Sequence, residues 1–240
     1  MESGTLYVIA TPIGNLEDLT LRALRILKEV PVLACEDTRV TSFLLQRHEI
    51  PRPGNVFSYH EHNEENAAKR ILECLENGQD VALCSDAGTP GISDPGYRAI
   101  SKVVDAGLNM EVIPGPNATT TALLLSGLPS SSFTFKGFPP RKSGQRQNFF
   151  RMDVDLPHTQ IFYESKFRLL KSLKDMLVVY GDRKCAVCLE MTKKFEKVYR
   201  GFLTEVIAKV ESVTVKGEIC VVVAGNNPKF LNKPEEDEEE

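Results

Sequence analysis

Short apolar runs alternate with longer amphipathic stretches through the first half of the chain, and nothing else in the sequence constrains the fold as strongly. The runs Leu6–Ala10, Val32–Cys35, Val56–Tyr59, Val81–Cys84 and Met110–Ile113 have the length and β-branched content of buried strands. Between them, Leu19–Lys28, Val40–Gln46, Asn63–Asn77 and Tyr97–Ala106 carry helical periodicity. Glu17-Asp18 opens the first helix, and Gly78 and Gly107 follow the last two, where helix C-termini favour glycine. Strand and helix in this succession predict an α/β domain built on a mostly parallel sheet.

The second half reads differently. A helix is expected over Ala118–Ser126, closed by Gly127, with further helices at Phe167–Leu177 and Thr204–Val210. Strands are expected at Phe133–Phe138, Gln160–Tyr163, Cys185–Glu190, Glu196–Phe202 and Ile219–Ala224. Some of these follow one another directly, which predicts a mixed sheet. Pro114-Gly115-Pro116 marks the boundary. The expected organisation is an N-terminal α/β domain over 1–115, a C-terminal α/β domain over 116–228 and a disordered acidic tail over 229–240.

The charge balance needs that tail to be understood. Of the 240 residues, 29 are Lys or Arg and 33 Asp or Glu, but Glu235–Glu240 are six consecutive acids. Without them, 29 basic residues face 27 acidic ones, so the body is near neutral. No apolar stretch approaches the ~20 residues of a membrane span, and Met1-Glu2-Ser3-Gly4 lacks the basic start of a secretory signal, so a cytoplasmic protein is expected. The six cysteines mostly lie in apolar strand-like runs and read as buried thiols. Cys185 and Cys188 have redox spacing, yet in a strand they point to opposite faces.

Three expected strands run into turns rich in Gly and Pro: Ala10–Asn15, Ser85–Gly96 and Pro114–Ala118. Ligands of open α/β sheets bind at the carboxyl ends of strands, and glycine there lets a ligand approach the backbone. For a single loop, tight-turn construction is explanation enough. Ser85–Gly96 goes further: twelve residues with three Gly, two Pro and two Asp exceed what a βα connection needs. Neither a G-x-G-x-x-G fingerprint nor a G-x-x-x-x-G-K-[ST] loop is present, which argues against ordinary NAD enzymes and ATPases.

These loops and others carry a resemblance. LYVIATPIGN (Leu6–Asn15), EDTR (Glu36–Arg39), SYHEHNE (Ser58–Glu64), SDAGTPGISDPG (Ser85–Gly96), Pro114–Ala118, GFPPRKSG (Gly137–Gly144), FYES (Phe162–Ser165) and Gly217-Glu218 resemble, in order, the 16S ribosomal RNA cytidine 2′-O-methyltransferases of the tetrapyrrole-methylase superfamily. The resemblance implies two α/β domains with S-adenosylmethionine in the cleft between them. It also implies a homodimer, and as partner the 16S rRNA or the small ribosomal subunit, methylated on the ribose of a decoding-region cytidine. Carried over residue by residue, it places cofactor contacts at Pro12, Gly14, Asp86, Ala87, Gly88, Ser93, Ala118, Thr119 and Tyr163. Some relatives continue into a small C-terminal helical domain. Here Asn226-Asn227-Pro228 leads only to a short segment and the acids, so any RNA contacts from such a domain are expected to be replaced or dispensed with.

Methyl transfer to a hydroxyl calls for alignment and a positioned base. Glu36, Asp37, His60, Glu61, Glu164 and Glu190 are candidates, and Asp37, Arg39 and His60 are the expected catalytic group, with Arg39 placed to hold a phosphate. Each has a plainer reading: Glu36-Asp37 caps a helix, and His60-Glu61-His62 forms a polar turn. The histidine pair has metal-binding spacing without a strong third ligand, and no metal is expected. For RNA, Val112–Met152 contains no acid but holds Lys136, Arg141, Lys142, Arg146 and Arg151 among phenylalanines. Arg141, Lys142 and Arg146 are the expected RNA contacts, with Arg141–Gly144 read as an exposed loop, and Phe135 and Phe149 as core. Tetrapyrrole methylation, or cofactor binding without catalysis, are the alternatives.

Overall fold

The computed structural model describes residues 2–231. They divide into two compact units, one up to Asn117 and one from Ala118. The first unit is a sheet of five parallel strands in the order β3-β2-β4-β1-β5. These strands are β1 (Thr5–Ile9), β2 (Val32–Cys35), β3 (Asn55–Ser58), β4 (Val81–Cys84) and β5 (Asn109–Ile113). Between them lie α1 (Leu21–Glu29), α2 (Thr38–Arg47), α3 (Glu64–Glu76) and α4 (Tyr97–Asp105). Strand alternation divides the apolar side chains between two layers. Leu6, Val8, Ala34 and Leu83 pack with α3 and α4, while Ile9, Leu33, Cys35 and Ala82 pack with α1 and α2. The helix expected from Leu19 starts two residues later: Leu19 is extended, and Thr20 caps α1 by accepting from the Ala23 amide at 3.2 Å.

The second unit holds a mixed sheet in the order β6-β7-β10-β8-β9. Its strands are β6 (Phe133–Phe135), β7 (Thr159–Ser165), β8 (Lys184–Leu189), β9 (Lys197–Phe202) and β10 (Glu218–Val223). Only β6 and β7 run parallel; the other neighbours are antiparallel. Helix α5 (Ala118–Ser126) covers one face, and α6 (Ser143–Arg151), α7 (Leu169–Tyr180) and α8 (Leu203–Glu211) the other.

Two expectations are corrected. The segment read as an exposed loop, Arg141–Gly144, enters a nine-residue helix, α6, that periodicity does not reveal. Its buried residues are Arg146 and Phe150, an i, i+4 pair in which one member is a cation. The disordered acidic tail is expected from residue 229, yet Pro228–Phe230 form a 3₁₀ turn and Leu231 bridges to Arg183; the rest of the tail lies outside the described residues. All six cysteines are buried and unbridged, Cys185 in the core under α7 and α8, Cys188 in the core under α5. No helix among the described residues is long and apolar enough to cross a membrane.

Candidate active site

Parallel registry brings the candidate residues of the first unit to one end of its sheet. Ile9 lies beside Cys84 and Ile113, and Cys35 beside Cys84 and Ser58, so the loops after all five strands emerge in a row. The first and fourth loops are joined: Thr11 and Gly88 exchange backbone hydrogen bonds of 2.8 and 3.0 Å, and the buried Thr11 hydroxyl donates to the Ser85 carbonyl at 3.0 Å. The second and fourth loops are joined by carboxylates. The Asp86 amide donates to Glu36 Oε2 at 3.2 Å, and the Asp37 amide donates to Asp86 Oδ1 at 3.0 Å.

The loop Ser85–Gly96 is tightly wound. Gly88, Gly91 and Gly96 all have positive φ, as does Ser93 at 62°. At Gly96, with φ 152°, a Cβ would stand 2.5 Å from the Gly91 nitrogen, so no other residue fits without moving backbone. The SYHEHNE segment braces this loop from outside. Glu64 Oε1 accepts from the Gly96 amide at 3.0 Å and from the Tyr59 hydroxyl at 3.1 Å, and that hydroxyl accepts from the Ala99 amide at 3.1 Å. Sequence reasoning missed Tyr59 and Glu64 because their role appears only when the loop is in place. Asn63 shapes the turn holding His60, accepting from its amide at 2.8 Å and donating to the Ser58 carbonyl at 2.9 Å.

The carboxylates are not equivalent. Burial pushes the Glu36 carboxyl up, and the nearby Asp86 and Asp37 charges add to that, against the hydrogen bond from the Asp86 amide. Asp86 is raised by burial and by Asp37. Asp37 is held down at about 2 by hydrogen bonds from the Arg39 guanidinium and amide. Its side chain is the N-cap of α2 and the partner of Arg39, at 2.5 Å from Nη2, and in that pairing it is a weaker base than a free carboxylate. Arg39, correspondingly, engages Asp37 at the surface. His60 lies near enough to Glu36 to act on its charge, and its Nδ1 is buried with no partner among the described residues. Pro12, Leu16, Val40, Phe43 and Asp86 line a hollow beside them; Gly14 is exposed in the same turn as Pro12.

A titration checks the Glu36 environment. A carboxyl raised in the folded state contributes stability below its ordinary pKa, near 4.3, and loses it as pH rises through the raised value. Glu36→Gln keeps an oxygen for the Asp86 amide without the charge. Its Tm should exceed that of the parent at pH 7, the difference closing toward pH 4; a difference independent of pH would refute burial as the cause.

The second unit carries the remaining candidates. Ala118 and Thr119 open α5, and the Thr119 hydroxyl pairs with the Tyr163 hydroxyl at 3.1 Å. Phe135 and Phe138 meet the Tyr163 ring edge-on at 4.8 and 5.6 Å. Arg141 and Lys142 are exposed, as an RNA contact requires. Arg146 is not, at 3% exposure: its Nε donates to Asp175 at 2.8 Å, Nη2 also binds Asp175, and Nη1 donates to the carbonyls of Pro140 and Arg141 at 3.3 and 3.0 Å. It is a clamp on the loop that presents Arg141 and Lys142, and its guanidinium is not open to a phosphate.

Comparisons with known proteins give the family and the fold. Residues 5–207 match the family model of tetrapyrrole (corrin/porphyrin) methylases. The chain is 47% identical over 235 residues to a Halalkalibacterium halodurans protein named ribosomal RNA small subunit methyltransferase I, covering 98% of this chain and 80% of that one. It is 43% identical to the Bacillus subtilis protein of the same name, with the same coverage. The uroporphyrin-III C-methyl transferase of Thermus thermophilus, solved in complex with S-adenyl homocysteine, shares the fold at a TM-score of 0.63 and 22% identity, over 93% of this chain and 98% of that one. The chain belongs to the tetrapyrrole methylase family, and within it to the ribosomal RNA small subunit methyltransferases I.

Proposed function

We propose that this protein transfers a methyl group from S-adenosylmethionine to the 2′-oxygen of a cytidine ribose in the decoding region of 16S rRNA. The joining of the loops after β1, β2 and β4 around Glu36, Asp86 and the glycine-rich turn carries the reading, together with the names of the relatives. The residues present suit such a cofactor: carboxylates attract a sulfonium and accept from ribose hydroxyls, and glycine-rich backbone admits close approach. When bound, S-adenosylmethionine supplies an electrophilic methyl group. Asp86, Ala87, Gly88 and Ser93, with Pro12 and Gly14, hold it in the first unit; Ala118, Thr119 and Tyr163 are the contacts proposed from the second.

The chain's own task is to aim the hydroxyl and take its proton. Glu36, made more basic by burial, is the acceptor, with His60 beside it. Arg39 positions a neighbouring phosphate by exchanging its contact with Asp37. Arg141 and Lys142 grip the RNA backbone. The working form is proposed to be a cytoplasmic homodimer.

The test is transfer of label from S-adenosylmethionine to isolated small subunits, naked rRNA or a precorrin, with the product mapped. Label on a cytidine 2′-oxygen is expected. Label on a precorrin ring alone would replace the reading with tetrapyrrole methylation, and cofactor binding without transfer to any of them would replace it with a binding protein. Arg141→Glu with Lys142→Glu should weaken RNA binding and flatten its dependence on salt by about 0.7 per lost phosphate contact in log–log slope. Unchanged affinity and slope would remove this loop from the interface.

A further inference from the structure

Exposed lysine–phenylalanine pairs stand at the end of the second sheet from which Arg141 and Lys142 emerge. Lys166-Phe167 follow β7, and Lys194-Phe195 form the tip of the β8–β9 hairpin. Strand pairing places them in one row. The Tyr163 amide donates to the Gly137 carbonyl just before the Arg141 loop, Ser165 pairs with Glu218, the Glu190 amide donates to the Glu218 carbonyl, and Leu189 pairs with Lys197. With strands about 4.8 Å apart, the row from β6 to β9 runs roughly 20 Å, the length of a few nucleotides.

Phe167 is 83% exposed and Phe195 76%, and each has its lysine ammonium near the ring, at 5.0 and 5.6 Å from the centroid. One exposed phenylalanine needs no explanation; two with the same lysine partner at one sheet end do. Among the described residues, Arg141, Lys142, Lys166 and Lys194 pair with no acid, while the acids at this end are engaged. Glu164 is buried and pairs with Arg168 at 2.7 Å; Glu190 and Glu218 share Lys193 at 3.1 and 2.8 Å; Glu196 accepts from the Thr192 amide at 2.7 Å. In the hairpin turn Glu190 and Thr192 both have positive φ, and Phe195 stands outward beyond them.

We propose that this rim is a track for single-stranded RNA, in which Phe167 and Phe195 stack on bases and Lys166 and Lys194 contact phosphates, extending the grip of Arg141 and Lys142. The proposal rests on the RNA reading above and adds the surface along which the strand runs. Unpaired cations beside open aromatic faces are what recognises a single strand without reading its sequence.

The test compares the full chain with Phe167→Ala/Phe195→Ala and Lys166→Gln/Lys194→Gln, binding a labelled single-stranded RNA across a salt series. All four side chains are exposed, so the variants should keep the parent Tm and S-adenosylmethionine affinity. The aromatic pair is expected to weaken RNA binding by about 25-fold or more, from about fivefold per stacked base, with little change in salt slope. The lysine pair should reduce the slope by about 1.4. Parent-like affinity and slope in both variants, while methyl transfer to RNA continues, would overturn the track and leave the methylation reading standing. A parent protein that binds no RNA would overturn both. A change in sedimentation in place of RNA affinity would also overturn the track, assigning the rim to contact between copies of the chain.

Discussion

Asp175→Ala is expected to destabilise the second unit by about 3–5 kcal/mol, the cost of stranding a buried cation, and to lower Tm by roughly 6–20 °C for a chain of this size. Asp175 accepts from Arg146, from the Ser143 hydroxyl at 2.9 Å and from Gln147 Nε2 at 2.8 Å. Burial would raise its carboxyl, but the hydrogen bonds from Gln147, Ser143 and Arg146 outweigh it and hold it below the usual range. A depressed carboxyl contributes stability above its ordinary pKa, near 3.9, and loses it as pH falls through the lower folded value. The deficit of the variant should therefore be full at pH 7 and shrink in acid. Arg146→Met with Asp175→Leu removes both charges and should be far less damaging in thermal unfolding, because no charge is left unpaired. If the single variant melts no lower than the double, the ion pair does not hold α6 to α7.

Gly96→Ala is expected to cost at least about 100-fold in S-adenosylmethionine affinity, or roughly 2.7 kcal/mol, measured by calorimetry. The added methyl meets Gly91 and Pro90 backbone at 2.5 and 2.9 Å, and backbone cannot swing aside as a side chain can, so the loop carrying Asp86, Gly88 and Ser93 must shift. Gly107→Ala is the control. It also has positive φ, at 65°, but no atom lies within 4 Å of the added methyl. It should cost about 1–2 kcal/mol of stability and leave the cofactor affinity alone. Parent-like affinity in Gly96→Ala would mean that this loop does not bind the cofactor.

The parallel half of the fold was legible because each of its elements carries its own signal: Val32–Cys35 and Val81–Cys84 are uniformly apolar strands, and glycines follow α3 and α4. Helix α6 was not, because its inward face is Arg146 and Phe150, and a buried guanidinium looks in sequence like a surface cation. The same ambiguity put Arg146 among the RNA contacts, and only Asp175, 29 residues away, resolves it. At the candidate site, the loops could be found from their glycines and prolines, but the ranking of acids could not. Glu36 and Asp37 are adjacent acids in sequence, but Asp37 is held down by Arg39, whereas Glu36 is pushed up by burial that depends on β2 and β4 lying side by side. Lys166-Phe167 and Lys194-Phe195 are ordinary dipeptides until strand order sets them in one row.

The buried cysteines give the molecule a gauge of its own opening. Cys35, Cys74 and Cys84 lie in the first unit, and Cys185, Cys188 and Cys220 in the second. Burial raises every one of these thiols, Cys185 and Cys188 to about 12, so in the closed protein thiolate is scarce and oxidants and alkylating agents find little to attack. Reaction then reports exposure, three sulfurs for each half. Peptide mapping of the labelled positions thus separates the opening of the half that carries Glu36 and the glycine-rich loop from that of the half that carries the basic rim, with no engineered probe.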